Sequence, residues 1–186
     1  MTLLIVAITG MPGAGKSTAA QGLVKLGWQR VVMGDIIRDQ AKRRGLEPDS
    51  RNTGEVMRRL RVEMGEAAVA KLTLEQIVGL DSQKIVVDGI RSMVEVEEFR
   101  KRAEVLLVAI HASPKRRYTL LKERGRKDDP LSLEMFLERD KRELSVGVSN
   151  AIALADEVIS NEHNSSGGLS SQIADIVNRW LGTVAP

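Results

Sequence analysis

Gly10-Met11-Pro12-Gly13-Ala14-Gly15-Lys16-Ser17 is the stretch that decides the fold. It matches G-x-x-x-x-G-K-[ST] at every fixed position. Residues 3–8 before it, Leu-Leu-Ile-Val-Ala-Ile, are a continuous apolar run, as a strand buried on both faces requires. After it, Ala19, Ala20, Leu23 and Val24 carry a helical pattern from 16 to about 26. Strand, glycine loop and helix in that order are the context in which this motif wraps a phosphate. The glycines let backbone N–H groups point inward, and the helix N-terminus adds partial positive charge. Lys16 is placed to reach β- and γ-phosphates, and Ser17 to ligate Mg²⁺. The expected ATP-binding set is therefore Gly10, Met11, Pro12, Gly13, Ala14, Gly15, Lys16, Ser17 and Thr18, with Lys16 also acting on the transferred phosphate.

Outward from the loop, apolar strands alternate with helical patterns. Strands are expected at 30–33, 85–87, 105–110 and 158–160. Helices are expected at 36–44, 54–78, 94–103, 114–124, 133–144 and 169–181. The strand runs are apolar throughout, which predicts a parallel sheet covered on both faces. Residues 47–50 read as a loop and Ser165-Ser166-Gly167-Gly168 as a flexible joint. In such folds ligands bind beyond the carboxyl ends of the strands. Asp88 ends the third apolar run, where a carboxylate can hold the metal directly or through water.

Composition narrows the class. With 186 residues the chain is the size of one domain. It has no cysteine, which excludes disulfides, zinc-thiolate sites and cysteine nucleophiles. Two histidines leave little for a histidine metal site, and a 3 % aromatic content argues against stacking on single-stranded nucleic acid. No apolar run approaches the roughly 18 residues of a membrane span, and the N-terminal run lacks a basic leader, so a cytoplasmic location is expected. Net charge is only +3, but residues 115–127 hold seven basic groups against one acidic, and residues 38–61 hold eight against four. Such patches fit a polyanionic small molecule at least as well as a duplex.

Three further segments carry a family resemblance: Gly34-Asp35-Ile36-Ile37-Arg38, Asp88-Gly89-Ile90-Arg91, and Arg124-Gly125-Arg126-Lys127-Asp128-Asp129. Together with the phosphate loop they resemble nucleoside monophosphate kinases of the adenylate kinase type. More closely, the chain resembles a small archaeal adenylate-kinase-related family, often described as dephospho-CoA-kinase-like. That likeness extends over Val96-Glu97-Glu98-Phe99 and residues 155–161, Ala-Asp-Glu-Val-Ile-Ser-Asn. The resemblance implies an α/β phosphate-loop NTPase fold with a five-stranded parallel sheet in the order 2-3-1-4-5. It also implies an acceptor-binding helical segment at about 35–79 and a short lid at about 124–132. The Asp88-Gly89-Ile90-Arg91 segment is one residue shorter than the family's pattern, and the lid has no Cys or His, which excludes a zinc lid. The resemblance further places Asn161 near the donor's adenine.

The residue chemistry runs parallel. Phosphoryl transfer depends on positioning and charge neutralisation. A monophosphate acceptor is a dianion, suited to bidentate arginines such as Arg38 and Arg91. Arg124, Arg126 and Arg139 are candidates to close over the transferring group; the alternative for each is a solvated helix face. Asp35 would orient a monophosphate acceptor, or serve as a base if the acceptor were the sugar hydroxyl of dephospho-CoA. The spacing to Arg38 and Arg91 favours a nucleoside monophosphate over dephospho-CoA. A non-catalytic nucleotide-binding protein is the reading from another class. His111 is expected to be packed or capping, His163 exposed, and Met57 and Met64 to lie in the core.

Overall fold

The apolar run before the glycine loop forms strand β1 (Leu4–Thr9), the centre of a five-stranded sheet. Its companions are β2 (Gln29–Val32), β3 (Lys84–Ile90), β4 (Glu104–His111) and β5 (Glu157–Ser160). The order is β2-β3-β1-β4-β5 and every pairing is parallel. A computed structural model describes residues 2–125 and 129–184, apart from the side chains of Ser50 and Ser166.

Successive strand residues face opposite sides, and both sides are buried. Ile5 and Ala7 of β1, Ile85 and Val87 of β3, and Leu107 of β4 face one core. There they meet α2 (Met33–Arg43), α3 (Ser50–Met64), α4 (Ala68–Val78), α5 (Met93–Arg100) and the short α8 (Val148–Ala153). Val6, Ile8, Val86, Val108 and Ile110 face the other core, against α1 (Lys16–Val24) and α9 (Ser166–Val184). Phe99 and Leu23 are wholly buried, one in each core. Burying such a side chain contributes about 1.5–3 kcal/mol. The remaining helices, α6 (Pro114–Arg124) and α7 (Leu133–Ser145), follow β4 and cover the loop end of the sheet.

Several boundaries differ from the sequence expectation. Met33 begins α2 rather than ending β2, so Asp35 lies in a helical first turn, where a carboxylate suits the helix dipole. The long helix expected at 54–78 is two helices. Gly65, at φ +89°, ends α3, and α4 restarts at Ala68. The apolar spacing ran through this break because Met64 and Ala68 pack into the same core. Asp49 is a cap rather than part of a plain loop: its Oδ1 accepts from Arg51 N at 2.9 Å and Asn52 N at 2.8 Å. The expected joint at 165–168 is a helix start, with Gly168 N donating to Ser165 Oγ at 3.1 Å. Helix α8, after Gly147, was not anticipated. His111 is exposed rather than packed. Among the described residues, no helix is long and apolar enough to cross a membrane.

Candidate active site

The glycine loop between β1 and α1 has the backbone shape its sequence requires. Gly10, Gly13 and Gly15 have φ of +141°, +80° and +105°. A Cβ at Gly10 would lie 2.3 Å from the Ile110 carbonyl oxygen, and one at Gly13 would lie 2.7 Å from that of Arg117. No side chain larger than hydrogen fits there. Lys16 Nζ folds back over the loop, donating to Gly10 O at 2.8 Å and Met11 O at 3.1 Å. Burial pushes its ammonium down to about 8; Asp88 and Glu143 oppose the shift, and Arg91 and Arg139 add to it. The first turn of α1 has no acidic residue and no side-chain cap, and while Thr18 N donates to Gly15 O, the positive end of the helix at Lys16 and Ser17 faces where an anion would sit.

Two buried side chains hold the loop from outside. Asn161, just beyond β5, donates Nδ2 to Ala14 O at 2.9 Å and is 6 % exposed. Arg117 of α6 donates Nη1 to Pro12 O at 3.1 Å, and forms a two-pronged ion pair with Asp140 of α7 at 2.8 and 2.5 Å. Its guanidinium also lies over the Phe136 ring, 4.9 Å from the centroid.

Asp88 is brought to the loop by a bulge. Ile8 pairs with Asp88 but Thr9 pairs with Ile90, so Gly89, at φ +108°, is skipped. The Thr9 hydroxyl donates to Ile90 O across the bulge at 3.0 Å. Asp88 is thereby buried beside the loop, where Ser17 Oγ donates to its Oδ2 at 3.0 Å. The same oxygen accepts from Arg30 Nη2 of β2 at 2.5 Å.

Two cavities open at this end of the sheet. The first, about 620 Å³, is walled by the glycine loop, Ser17, Thr18, Asp88 and parts of α6 and α9. The second, about 400 Å³, lies against α2 and α3, with Ile37, Pro48, Thr53 and Met57 on its walls. Both are lined by Gly34, Arg38, Arg91, Arg139 and Glu143. Arg91 donates Nε to Glu143 Oε2 at 2.8 Å. Burial, the largest single influence on Glu143, pushes its carboxyl up. Arg91, Lys16 and Arg139 outweigh burial and hold it below the usual carboxylate range.

Of the residues singled out from sequence, Lys16, Ser17, Thr18, Arg38, Asp88, Arg91, Arg124 and Arg139 line the first cavity. So do Gly10, Pro12, Gly13 and Gly15, while Met11 and Ala14 do not. Arg124 donates Nε to Asp129 Oδ2 at 2.9 Å, and Arg139 Nη1 lies 3.7 Å from Asp129 Oδ1. Arg126 falls outside the described residues. Asp35 lines neither cavity; it is paired with Arg38 and its side chain is 60 % exposed. Asn161 lines the first cavity while its amide donates to the loop backbone.

Sequence reasoning missed Arg30, Glu143, the Arg117–Asp140 clamp and Glu95. Glu95 is 2 % exposed and accepts from Arg91 N at 2.8 Å and Ser92 N at 3.3 Å. The Ser92-x-x-Glu95 capping box was a signal for it. Glu143 stands one helical turn from Arg139, a spacing that puts both on one face.

Residues 6–143 match the AAA domain family. A UPF0200 protein of Methanocaldococcus jannaschii is 46 % identical over 162 residues, spanning 86 % of this chain and 82 % of that protein. A UPF0200 protein of Hyperthermus butylicus is 43 % identical over 159 residues, spanning 86 % of each. Among solved structures, TT1252 from Thermus thermophilus superposes with a TM-score of 0.72 at 18 % identity, covering 97 % of this chain and 99 % of that one. Shikimate kinase from Acinetobacter baumannii, in complex with shikimate, superposes with a TM-score of 0.58 at 16 % identity, covering 100 % and 97 %. These structural likenesses concern the fold.

Proposed function

The chain belongs to the UPF0200 proteins and to the AAA domain family, and from that premise we propose that it transfers a phosphoryl group from ATP to a small phosphorylated acceptor, most simply a nucleoside monophosphate. The observation that carries this reading is the pair of cavities that meet along Arg38, Arg91 and Arg139 beside Lys16. A donor held on the glycine loop points its terminal phosphate toward that seam. The acceptor occupies the second cavity, within the segment at 35–79, with its phosphate between Arg38 and Arg91. Ile37, Pro48 and Met57 give that end apolar surface for the acceptor's uncharged part. Arg139 and Arg124 neutralise charge on the transferring group, and the short lid expected at about 124–132 of this one domain lies partly outside the described residues.

A metal fits the donor set. Asp88 and Ser17 are hard oxygen ligands beside the loop, and they are the residues that would hold Mg²⁺. Bound with the nucleotide, Mg²⁺ supplies charge neutralisation across the phosphates. A phosphate acceptor needs no base, and the seam is built accordingly. Asp88 is engaged by Ser17 and Arg30, and Glu143 by Arg91. The dephospho-CoA reading asks Asp35 to take a hydroxyl proton, and Asp35 lies off both cavity walls.

A bisubstrate analogue tests this arrangement: two adenosines joined through five phosphates, titrated by calorimetry. If both cavities are occupied at once, it binds at least about a hundredfold more tightly than ATP. It loses that advantage in Arg91→Ala. Binding no tighter than ATP would overturn the two-site reading.

A further inference from the structure

We propose that Arg30 is a built-in cation that makes divalent-metal binding at Asp88 conditional on nucleotide phosphates. Nothing in the glycine-loop motif calls for this arginine. It comes from β2, where Arg30 pairs in register with Val86 and Val32 with Asp88. Its side chain therefore reaches along the neighbouring strand to the carboxylate. There its Nη2 meets Asp88 Oδ2, the oxygen that also accepts from Ser17. The carboxylate side chain is 5 % exposed and that of Arg30 is 25 % exposed. Arg30 Nε is buried with no hydrogen-bond partner.

Charge arithmetic gives the consequence. Before any ligand arrives, Lys16, Arg30, Arg91 and Arg139 face Asp88 and Glu143 around the loop. Glu95 and Asp129 offset Arg91 and Arg139 from behind, but at the carboxylate itself a free divalent cation would meet Arg30 already paired with Asp88 and the Lys16 ammonium within its influence. Like charges a few ångströms apart in a partly buried site repel strongly. Polyphosphate would reverse the balance, because its oxygens carry the negative charge that offsets Lys16 and the arginines. Ser17 and Asp88 would then hold the metal, with Arg30 fixing the position of the Asp88 carboxylate. Arg30 is thus a positioning residue that acts through Asp88. This inference rests on the proposed function only in taking Ser17 and Asp88 as the metal's ligands, and its test requires no turnover.

The test follows free Mn²⁺ by electron paramagnetic resonance during titration into the whole protein, with and without ADP. Without ADP, wild-type protein is expected to retain no Mn²⁺ in the low-millimolar range, whereas Arg30→Gln binds it at least about tenfold more tightly. With ADP present, the two are expected to agree within about threefold. Arg30→Lys, which keeps the charge, stays close to wild type. Arg30→Met keeps the aliphatic stem and carries the test if the glutamine variant does not fold. Adding Asp88→Asn should abolish the gain. No gain in either neutral variant would overturn the proposal. So would equal Mn²⁺ affinity of the wild type with and without ADP, or a gain that survives Asp88→Asn. Failure to phosphorylate any acceptor would count against the proposed function and leave this result standing.

Discussion

Breaking the Arg117–Asp140 pair should do two separable things. Arg117 is 3 % exposed and Asp140 9 % exposed, and the pair is two-pronged at 2.8 and 2.5 Å. Asp140→Ala leaves a buried guanidinium without its counter-ion, which costs about 3–5 kcal/mol. At about 2–4 °C per kcal/mol for a domain of this size, the melting temperature falls by about 6–20 °C. Replacing both partners by apolar side chains, Arg117→Met with Asp140→Leu, removes the buried charges together and returns stability to within about 1 kcal/mol of wild type. Nucleotide affinity should not return with it. Arg117 also donates to Pro12 O at 3.1 Å, and that tether to the glycine loop is absent from the double variant. A hydrogen bond from a charged donor contributes about 1.5–3 kcal/mol, so ADP binding weakens about tenfold or more. Urea unfolding and calorimetric ADP titration of wild type, Asp140→Ala and the double variant read the two effects. The reasoning is refuted if Asp140→Ala unfolds within 1 kcal/mol of wild type. It is equally refuted if the double variant binds ADP as wild type does.

Lys16→Ala should remove ATP turnover while circular dichroism and melting stay close to wild type, because the hydrogen bonds of Lys16 Nζ go to Gly10 O and Met11 O of its own loop; retained turnover would remove Lys16 from the chemistry. Arg38→Ala and Arg91→Ala should each weaken acceptor binding about tenfold to a hundredfold with donor affinity nearly unchanged, whereas Arg139→Ala should lower kcat more than it raises acceptor KM. Separate donor and acceptor titrations, with kcat, check this. Loss of donor binding in Arg38→Ala and Arg91→Ala would place the acceptor elsewhere. The Ser113 backbone N–H and hydroxyl hold the Glu162 carboxyl below its ordinary value, at 2.8 and 2.7 Å. A depressed carboxylate stabilises the fold above its unfolded pKa and loses that contribution as pH falls through its folded value. Glu162→Gln should therefore shallow the loss of stability below about pH 4.5, measured as urea midpoint against pH; an unchanged acid slope would show that the contact does not matter.

The glycine loop and the apolar strands were legible because each is a local pattern with a local cause. The eight loop residues fix a backbone shape, and short β-branched apolar runs such as Ile85-Val86-Val87, ended by Asp88-Gly89, fit strands covered on both faces. Asp88 followed from standing at such a run's end. Arg30 did not, because its role depends on β2 lying beside β3 in a register that no local pattern announces. Glu143 was hidden for the same reason: on its own helix it is one charge of an amphipathic face, and only the fold brings it to Arg91. The basic run at 115–127 read as one cluster, but the structure separates its members. Arg117 is a buried clamp and Arg124 a cavity wall. Asp35 was placed near the acceptor through the Gly34-Asp35-Ile36-Ile37-Arg38 segment that follows β2. In the structure Asp35 points off both cavity walls and pairs with Arg38, a contact that sequence spacing alone does not orient.

The central claim is transfer of the ATP γ-phosphate to a small phosphorylated acceptor. Its most direct measurement is incubation of the purified protein with γ-labelled ATP, Mg²⁺ and, separately, each nucleoside monophosphate and dephospho-CoA, with the labelled product identified by chromatography. The account predicts label in the β-phosphate of a nucleoside diphosphate, appearing one for one with ADP and absent with Lys16→Ala. Label in CoA would contradict the choice of acceptor, and label released only as inorganic phosphate, whatever acceptor is offered, would contradict the claim of transfer itself.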